Sequence, residues 1–577
     1  MQSNLGAGSN DEEPECPGGY ERITSEEECQ EAAEALNGPD WFHSARSWTD
    51  WPQACFITPG GGGRVFFNEI LDESAIDCDS GRHCRAADTI CKRALPPPPP
   101  LPPAAPSPPP APPPGGDDYK AVIVIQLFGG LDSFNMLVPH SLCDAAAGGY
   151  AEYLQARGGL FTGREDSGVA LRQDTLQQIA AGASSKPQPC DVMGLHPKLV
   201  KTKAMYESGD AAIYANVGAL IEHLTPDEFF GGDGRKEVPD ALFSHNVQDR
   251  FMQTLSNNQF EPGILGKVMR ALDTPACDAY GSTSAGSART YYKTGLYAMH
   301  SGSARALEGG PVLPLSIDSR RADIRRLSEY EQLWPHIENL TAAPSRSVFA
   351  ETHSRVMGQA IQDAETLGDA IDAATTTTTF NDCCDVGGGC GCTFAKALRT
   401  VARVIKARSA TGVQRAAFWM GTRGVDAHAS MDSPGDGIMS MIDNSVDDFR
   451  KEMVAQGLWD KVTVITLSEF GRTIIGNGRG TTHAWGGNHL MYGGAVNGGR
   501  ILGQYPSRLG PEGERTRNDR GTIIPTEPWE SMWQPIAQWM GVAPCDLPKV
   551  MPHLRNFPVA GEGRVLRAED VYEAGAV

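Results

Sequence analysis

"KVTVITLSEFGR", residues 461–472, begins as an apolar run of strand length and then, with no turn residue between, delivers Ser468, Glu469 and Arg472. A short continuous apolar run reads as a strand buried on both faces. Polar groups just beyond the carboxyl end of such a strand stand where parallel α/β sheets bind their ligands. Three more runs share this character: AVIVIQLF (121–128), AAIYANVGAL (211–220) and RAAFWM (415–420). Helical periodicity lies between them. In GIMSMIDNSVDDFRKEMVAQG, Ile438, Met441, Ile442, Val446, Phe449 and Met453 recur at three- and four-residue steps, and Gly457 stands where a C-cap is expected. The pattern predicts an α/β fold with a mainly parallel sheet flanked by helices.

Outward from this body the chain changes character. Residues 96–116, PPPPPLPPAAPSPPPAPPPGG, lack the backbone donors for helix or sheet and form a stiff polyproline spacer. At ~3.1 Å per residue such a spacer reaches up to roughly 60 Å. Residues 1–95 hold Cys16, Cys29, Cys55, Cys78, Cys84 and Cys91 and read as a small disulfide-stapled module, its cysteines paired among themselves. Trp41, Trp48 and Trp51 either form its small core or offer aromatic contacts to carbohydrate or cell-wall material. The large domain occupies 117–577. Within it, 373–392 (AATTTTTFNDCCDVGGGCGC) reads as a low-complexity surface insert tied down by disulfides.

A formal charge of −21 argues against nucleic acid or an anionic membrane as partner, since both would be repelled. The same charge requires local positive groups if the substrate is anionic. An even count of cysteines on each side of the spacer, fourteen in all, points to an oxidising compartment. An extracellular or cell-surface location follows, and the triplet Asn339-Leu340-Thr341 fits it. No apolar run reaches the ~18 residues of a membrane span. The start, MQSNLGAGSNDEEPE, lacks the basic and apolar regions of a signal peptide, so secretion implies a leader already removed.

The polar residues after the strands form a set. FGGLDSFN supplies Asp132 and Asn135, RGVDAHAS supplies Asp426 and His428, and the opening stretch supplies Glu469, followed by His483 and His489 in THAWGGNHL. Three strands thus deliver a carboxylate to one sheet edge, where the charges would repel unless a cation held them. The mixture of oxygen and imidazole donors suits Zn²⁺, with Mn²⁺, Mg²⁺ or Ca²⁺ as alternatives. ALFSHNVQDRFMQTL places Ser244 at a helix N-cap, where its hydroxyl meets the positive end of the dipole, as a nucleophile or as a plain cap. His245 reads as a neighbour of the metal or a substrate contact rather than a ligand.

The stretches IQLFGGLDSFNMLVP, LHPKL, LFSHNVQDRFMQ, GVDAHAS and GLWDKVTVITLSEFGRT, with GTTHAWGGNHLMYGGAVNGGRILGQYP, resemble the DUF1501 family over about residues 120–560. That family is regarded as related to the alkaline phosphatase and sulfatase superfamily. The resemblance implies an alkaline-phosphatase-like fold and an exported, metal-dependent hydrolase of phosphate esters, or secondarily of sulfate esters. Carried over, the metal ligands fall on Asp132, Asp426, His428, Glu469 and His483 and the nucleophile on Ser244; Arg472, one short turn beyond Glu469, is placed by its position to face a small anionic ester. Asn135, His245 and His489 stand behind them. Where the superfamily has an Asp-His dyad, this sequence has Glu469-Phe470, so one ligand of a two-metal set is missing. The formylglycine type of sulfatase is disfavoured, because the nearest string to its motif, AAPSR, begins with Ala342. The rival expectation is a non-catalytic secreted binding or matrix protein that keeps the fold.

Overall fold

The computed structural model describes residues 118–576 apart from 165–166, 183–185, 231–235, 277–289, 300–303, 318–334, 338, 340–346, 381–392, 429–434, 479, 514, 518–519 and 562; before 118 it describes short strands and Cys29. The chain divides into two compact units, Met1–Gly115 and Gly116–Val577. In the first, β1 (Gln2–Ser3), β2 (Tyr20–Arg22), β3 (Phe42–Arg46), β4 (Ala54–Ile57), β5 (Val65–Asn68) and β6 (Asp88–Arg93) form a sheet in the order β1-β6-β4-β5-β3, with β2 also on β6. Cys29 is disulfide-bonded. The pairing of the module's cysteines, its three tryptophans, the spacer and residues 381–392 of the insert lie outside the described residues.

The second unit is built on a nine-stranded sheet. Its strands are β7 (Lys120–Leu127), β11 (Ala211–Gly218), β12 (Thr294–Ala298), β13 (Leu315–Ser316), β14 (Arg415–Thr422), β15 (Val462–Leu467), β16 (Gly487–Tyr492), β17 (Ile501–Gly503) and β18 (Glu527–Pro528). They run in the order β13-β12-β14-β7-β15-β16-β11-β17, with β18 beside β11. All neighbours pair in parallel except β16, which is antiparallel to β15 and to β11. A smaller antiparallel sheet of β8 (Leu137–Cys143), β9 (Gln177–Ala180) and β10 (Cys190–Leu195) stands apart, its β8 and β10 joined by the Cys143–Cys190 disulfide.

The continuous apolar runs are explained by cover on both faces. Ile123, Ile125 and Leu127 pack into one core with the helices Thr393–Lys406 and Asp436–Ala455, while Val122 and Val124 pack into the other with His245–Thr254, Ile264–Asp273 and Glu530–Met540. Successive side chains of a strand point to opposite faces, so one strand feeds both layers. The helix predicted at Gly437 to Gly457 spans Asp436–Ala455 and buries Met439, Met441, Ile442, Val446, Phe449 and Met453. Gly457 follows it at φ +67°, the left-handed turn for which a glycine suits a helix end.

The register brings the chemistry together. Thr422 of β14 lies opposite Leu127 of β7, and Leu467 of β15 opposite Gln126. The three central strands therefore end level, and the segments holding Asp132, Asp426 and Glu469 leave from one edge.

Candidate metal centre

The turn after β7 shapes this edge. Gly129 has φ +125°, and a Cβ there would stand 2.6 Å from the amide nitrogen of Asp426. Only a glycine allows so close an approach at such a φ. The Gly129 amide donates to Glu469 Oε1 at 2.8 Å, and Ser468 Oγ donates to the carbonyl of Leu127 at 2.7 Å. Glu469 is thereby pinned at the floor, 3% exposed.

Above it stand three histidines and Asp426. His245, the first residue of its helix, has Nδ1 at 2.7 Å from Glu469 Oε1 and Nε2 at 3.7 Å from Asp426 Oδ2. His483 Nδ1 lies 2.8 Å from the carbonyl of Phe243, and its Nε2 is 3.7 Å from Asp426 Oδ1. A carbonyl can only accept, so His483 Nδ1 donates and its Nε2 lone pair faces the site. The carboxylate acts likewise on His245. One ligand atom from each of His245, Asp426 and His483 lies within 4.8 Å of the others, a group able to hold a metal ion. Metal-binding histidines are commonly oriented in this way by a carboxylate or carbonyl on the far nitrogen. His428 Nε2 lies 2.7 Å from His483 Nε2 and 3.2 Å from Asp426 Oδ1. His483 Nε2 accepts in that contact and His428 Nε2 donates, so a cation held on His483 Nε2 would take the place of this hydrogen bond and leave the His428 donor to Asp426.

Electrostatics favour the ligand forms. Burial pushes the Asp426 carboxyl upward, but the Arg472 guanidinium, with His428 and His245 adding to it, outweighs this and holds it below its usual range. Burial lowers the His483 pKa, the Phe243 carbonyl opposes, and His245, Arg472 and His428 add to the lowering. An ionised carboxylate and a neutral imidazole are the states that bind a cation.

Several expected residues take other places. Arg472 does not face the opening: it is fully buried, and it donates to the carbonyls of Gly130 at 2.8 Å, Thr481 at 2.7 Å and Gly129 at 2.6 Å and to Asp426. Its fork holds the glycine turn because the bridge between Leu131 and Gly471 draws this segment downward. Asp132 is not in the cluster but pairs with the buried Arg157, which also donates to the carbonyls of Thr473 and Ile474. Asn135 is committed to the Val169 carbonyl at 3.0 Å and the Tyr153 hydroxyl at 2.7 Å. His489 belongs to the core, 5.1 Å from the ring of Trp529, where burial pushes its pKa down to about 3. Glu469 and His245 exchange roles: the histidine points into the cluster and the carboxylate stands behind it. Ser244 is the N-cap residue of the His245 helix by position, but its side chain makes no capping bond.

A family model described as a protein of unknown function (DUF1501) matches residues 119–516. The chain belongs to the DUF1501 family. The matched span ends short of the 560 suggested by the motifs, yet every DUF1501 residue of the cluster falls inside it. No curated protein matches the chain. Among solved structures, the lipoteichoic acid synthase LtaP from Listeria monocytogenes is similar over 79% of this chain and 76% of its own, at 7% identity and a TM-score of 0.28. PsFucS1 sulfatase from Pseudoalteromonas sp. is similar over 78% and 73%, at 10% identity and 0.30. Ps i-CgsB is similar over 74% and 72%, at 10% identity and 0.27. Membership of DUF1501 rests on the sequence match alone.

Proposed function

We propose that this DUF1501 protein is a metal-dependent hydrolase of phosphate esters, and secondarily of sulfate esters, with His245, Asp426 and His483 as the metal ligands. The observation that carries the reading is the orientation of the two histidines, each with its far nitrogen engaged and its other nitrogen turned to Asp426. Two imidazoles and a carboxylate fit Zn²⁺ or Mn²⁺ better than Mg²⁺ or Ca²⁺, which prefer oxygen throughout. A bound divalent ion would supply Lewis-acid charge to the ester oxygens.

The chain's own groups supply the rest. Glu469 and the Phe243 carbonyl fix the histidine tautomers, and Arg472 fixes Asp426 from below. Ser244, whose hydroxyl makes no capping bond at the start of a ten-residue helix, is the nucleophile. Its oxygen bonds to phosphorus as the alcohol leaves, and water then attacks the phosphoserine to release phosphate and restore the hydroxyl. His428, which carries a proton beside Asp426 and is partly exposed, is placed to pass one to solvent or to the leaving group. Disulfides at Cys143–Cys190, Cys29 and Cys545 support an oxidising, extracellular or cell-surface setting.

The test is metal analysis of the purified full chain together with hydrolysis of a chromogenic phosphomonoester, phosphodiester and sulfate ester. Metal near one equivalent, lost in His245→Ala and His483→Ala with the activity, supports the reading. A metal-free and inert parent would move the chain to the non-catalytic binding reading.

A further inference from the structure

Arg472 is spent on the glycine turn, and Arg157 on Asp132 and two carbonyls, so neither offers its charge to an anion. Arg517 differs from both. Arg517 lies between two aromatic rings, 4.7 Å from the centre of Phe229 and 5.0 Å from that of Phe243. Among the described residues it has neither a carboxylate partner nor a side-chain hydrogen bond, and its buried Nε is left unsatisfied. Its backbone is fixed: its amide donates to the Thr522 carbonyl at 2.8 Å, and Thr516 bridges Ile523.

The place of this cation is defined by Phe243. That residue gives its carbonyl to His483 at 2.8 Å and directly precedes Ser244 and His245. It holds φ +76°, a left-handed conformation that costs a bulky residue energy and persists where surrounding structure imposes it. Ring faces attract a guanidinium without using its N–H donors. The donors stay available for the paired oxygens of a tetrahedral oxyanion, the geometry that an arginine fork matches.

We propose that Arg517 is the residue that binds the anionic group of the substrate at the Ser244–His245 site. This rests on the hydrolase reading for its substrate class, a phosphate or sulfate monoester, but not for the presence of the anion site. Burial lowers the Arg517 pKa with no carboxylate to offset it, and an oxyanion would provide the missing acceptor. In a chain of net charge −21, an anionic substrate needs such a local cation.

The test compares the parent, Arg517→Met and Arg517→Lys as full chains. Calorimetry measures binding of inorganic phosphate and of sulfate, with metal content and circular dichroism as controls. Arg517→Met should weaken oxyanion binding by about tenfold or more, at parent metal content, and raise KM for a phosphomonoester more than it lowers kcat. Arg517→Lys should recover part of the loss. Should Arg517→Met lose the fold, Arg517→Lys is read in its place and must itself show weaker binding. Parent-like oxyanion affinity in a folded variant overturns the proposal, as does a parent that binds neither anion. A parent that binds phosphate through Arg517 but holds no metal keeps this proposal and removes the hydrolase reading.

Discussion

His245 and Glu469, 224 positions apart in the chain, meet with Nδ1 2.7 Å from Oε1, and this contact sets which imidazole nitrogen faces Asp426. In the proposed centre Glu469 therefore acts through a histidine rather than as a ligand. Replacing it by Gln keeps an acceptor for His245 or for the Gly129 amide but removes the charge that strengthens both bonds. Loss of such an outer partner typically costs about 10–100-fold in metal affinity. Glu469→Gln should show a loss of that order by chelator competition, with an unchanged circular dichroism spectrum. Parent-like affinity would mean that the carboxylate does not orient His245.

Gly129→Ala touches no proposed ligand, yet it should lower metal content. The added Cβ would stand 2.6 Å from the Asp426 amide nitrogen and 2.8 Å from its Cβ, at a φ of +125°. Backbone cannot move aside as a flexible side chain can, so either Asp426 shifts or the turn reopens. The measurement is metal stoichiometry by mass spectrometry, read against Gly457→Ala, whose added Cβ would meet nothing within 4 Å. Equal metal in both would show that the turn does not position Asp426.

The central strands were legible because burial on two faces leaves an unbroken apolar run, and β7, β11, β14 and β15 fall where such runs stand. The short edge strands β13, β17 and β18 and the reversed β16 were not, since two- and three-residue pairings and strand direction leave no hydrophobic pattern. At the site, the residues standing beyond strand ends could be read, but not their order of depth. Glu469 and His245 are equally polar in sequence, and the contact that holds Glu469 at the floor, from the Gly129 amide, joins residues 340 positions apart. Arg472 looked like an exposed fork because the Leu131–Gly471 bridge that pulls it inward joins residues 340 positions apart. Arg517, in a charged and aperiodic stretch, carried no signal until Phe229 and Phe243 folded against it.

Two buried groups outside the proposed ligand set contribute opposite slopes to the pH dependence of stability. Burial, opposed only weakly by its own backbone and by Lys267, raises the Glu530 pKa from 4.5 to about 8; burial lowers that of His489 from 6.5 to about 3. Between 4.5 and 8 the folded protein holds a proton on Glu530 that the unfolded chain has lost, so stability falls as pH rises through that window. Between 3 and 6.5 the unfolded chain protonates His489 and the folded one does not, so stability rises with pH there. The two slopes oppose each other from 4.5 to 6.5, and of these two groups only Glu530 acts above. From pH 6.5 to 8 its share is about 2 kcal/mol at ~1.36 kcal/mol per unit. Urea unfolding of Glu530→Gln should lack that decline. A variant that falls as steeply as the parent would place the titration elsewhere.

Ser244→Ala separates the nucleophile from the metal site. The hydroxyl makes no capping bond, so its loss should cost the helix less than the ~1 kcal/mol usual for a capping serine. His245, one residue on, keeps its contact with Glu469, and Phe243, one residue back, keeps its carbonyl on His483. The three proposed ligands therefore stay oriented, and the variant should bind metal as the parent does while turnover falls by several orders of magnitude. His483→Ala should do the reverse at the first step: metal affinity falls, and activity falls only as far as added metal fails to restore it. A chromogenic phosphomonoester assay over a range of Zn²⁺ or Mn²⁺ concentrations distinguishes the two, because excess metal should raise the His483 variant and leave the Ser244 variant flat. Should Ser244→Ala retain parent turnover at saturating metal, the hydroxyl is not the nucleophile, and attack by water becomes the mechanism to test.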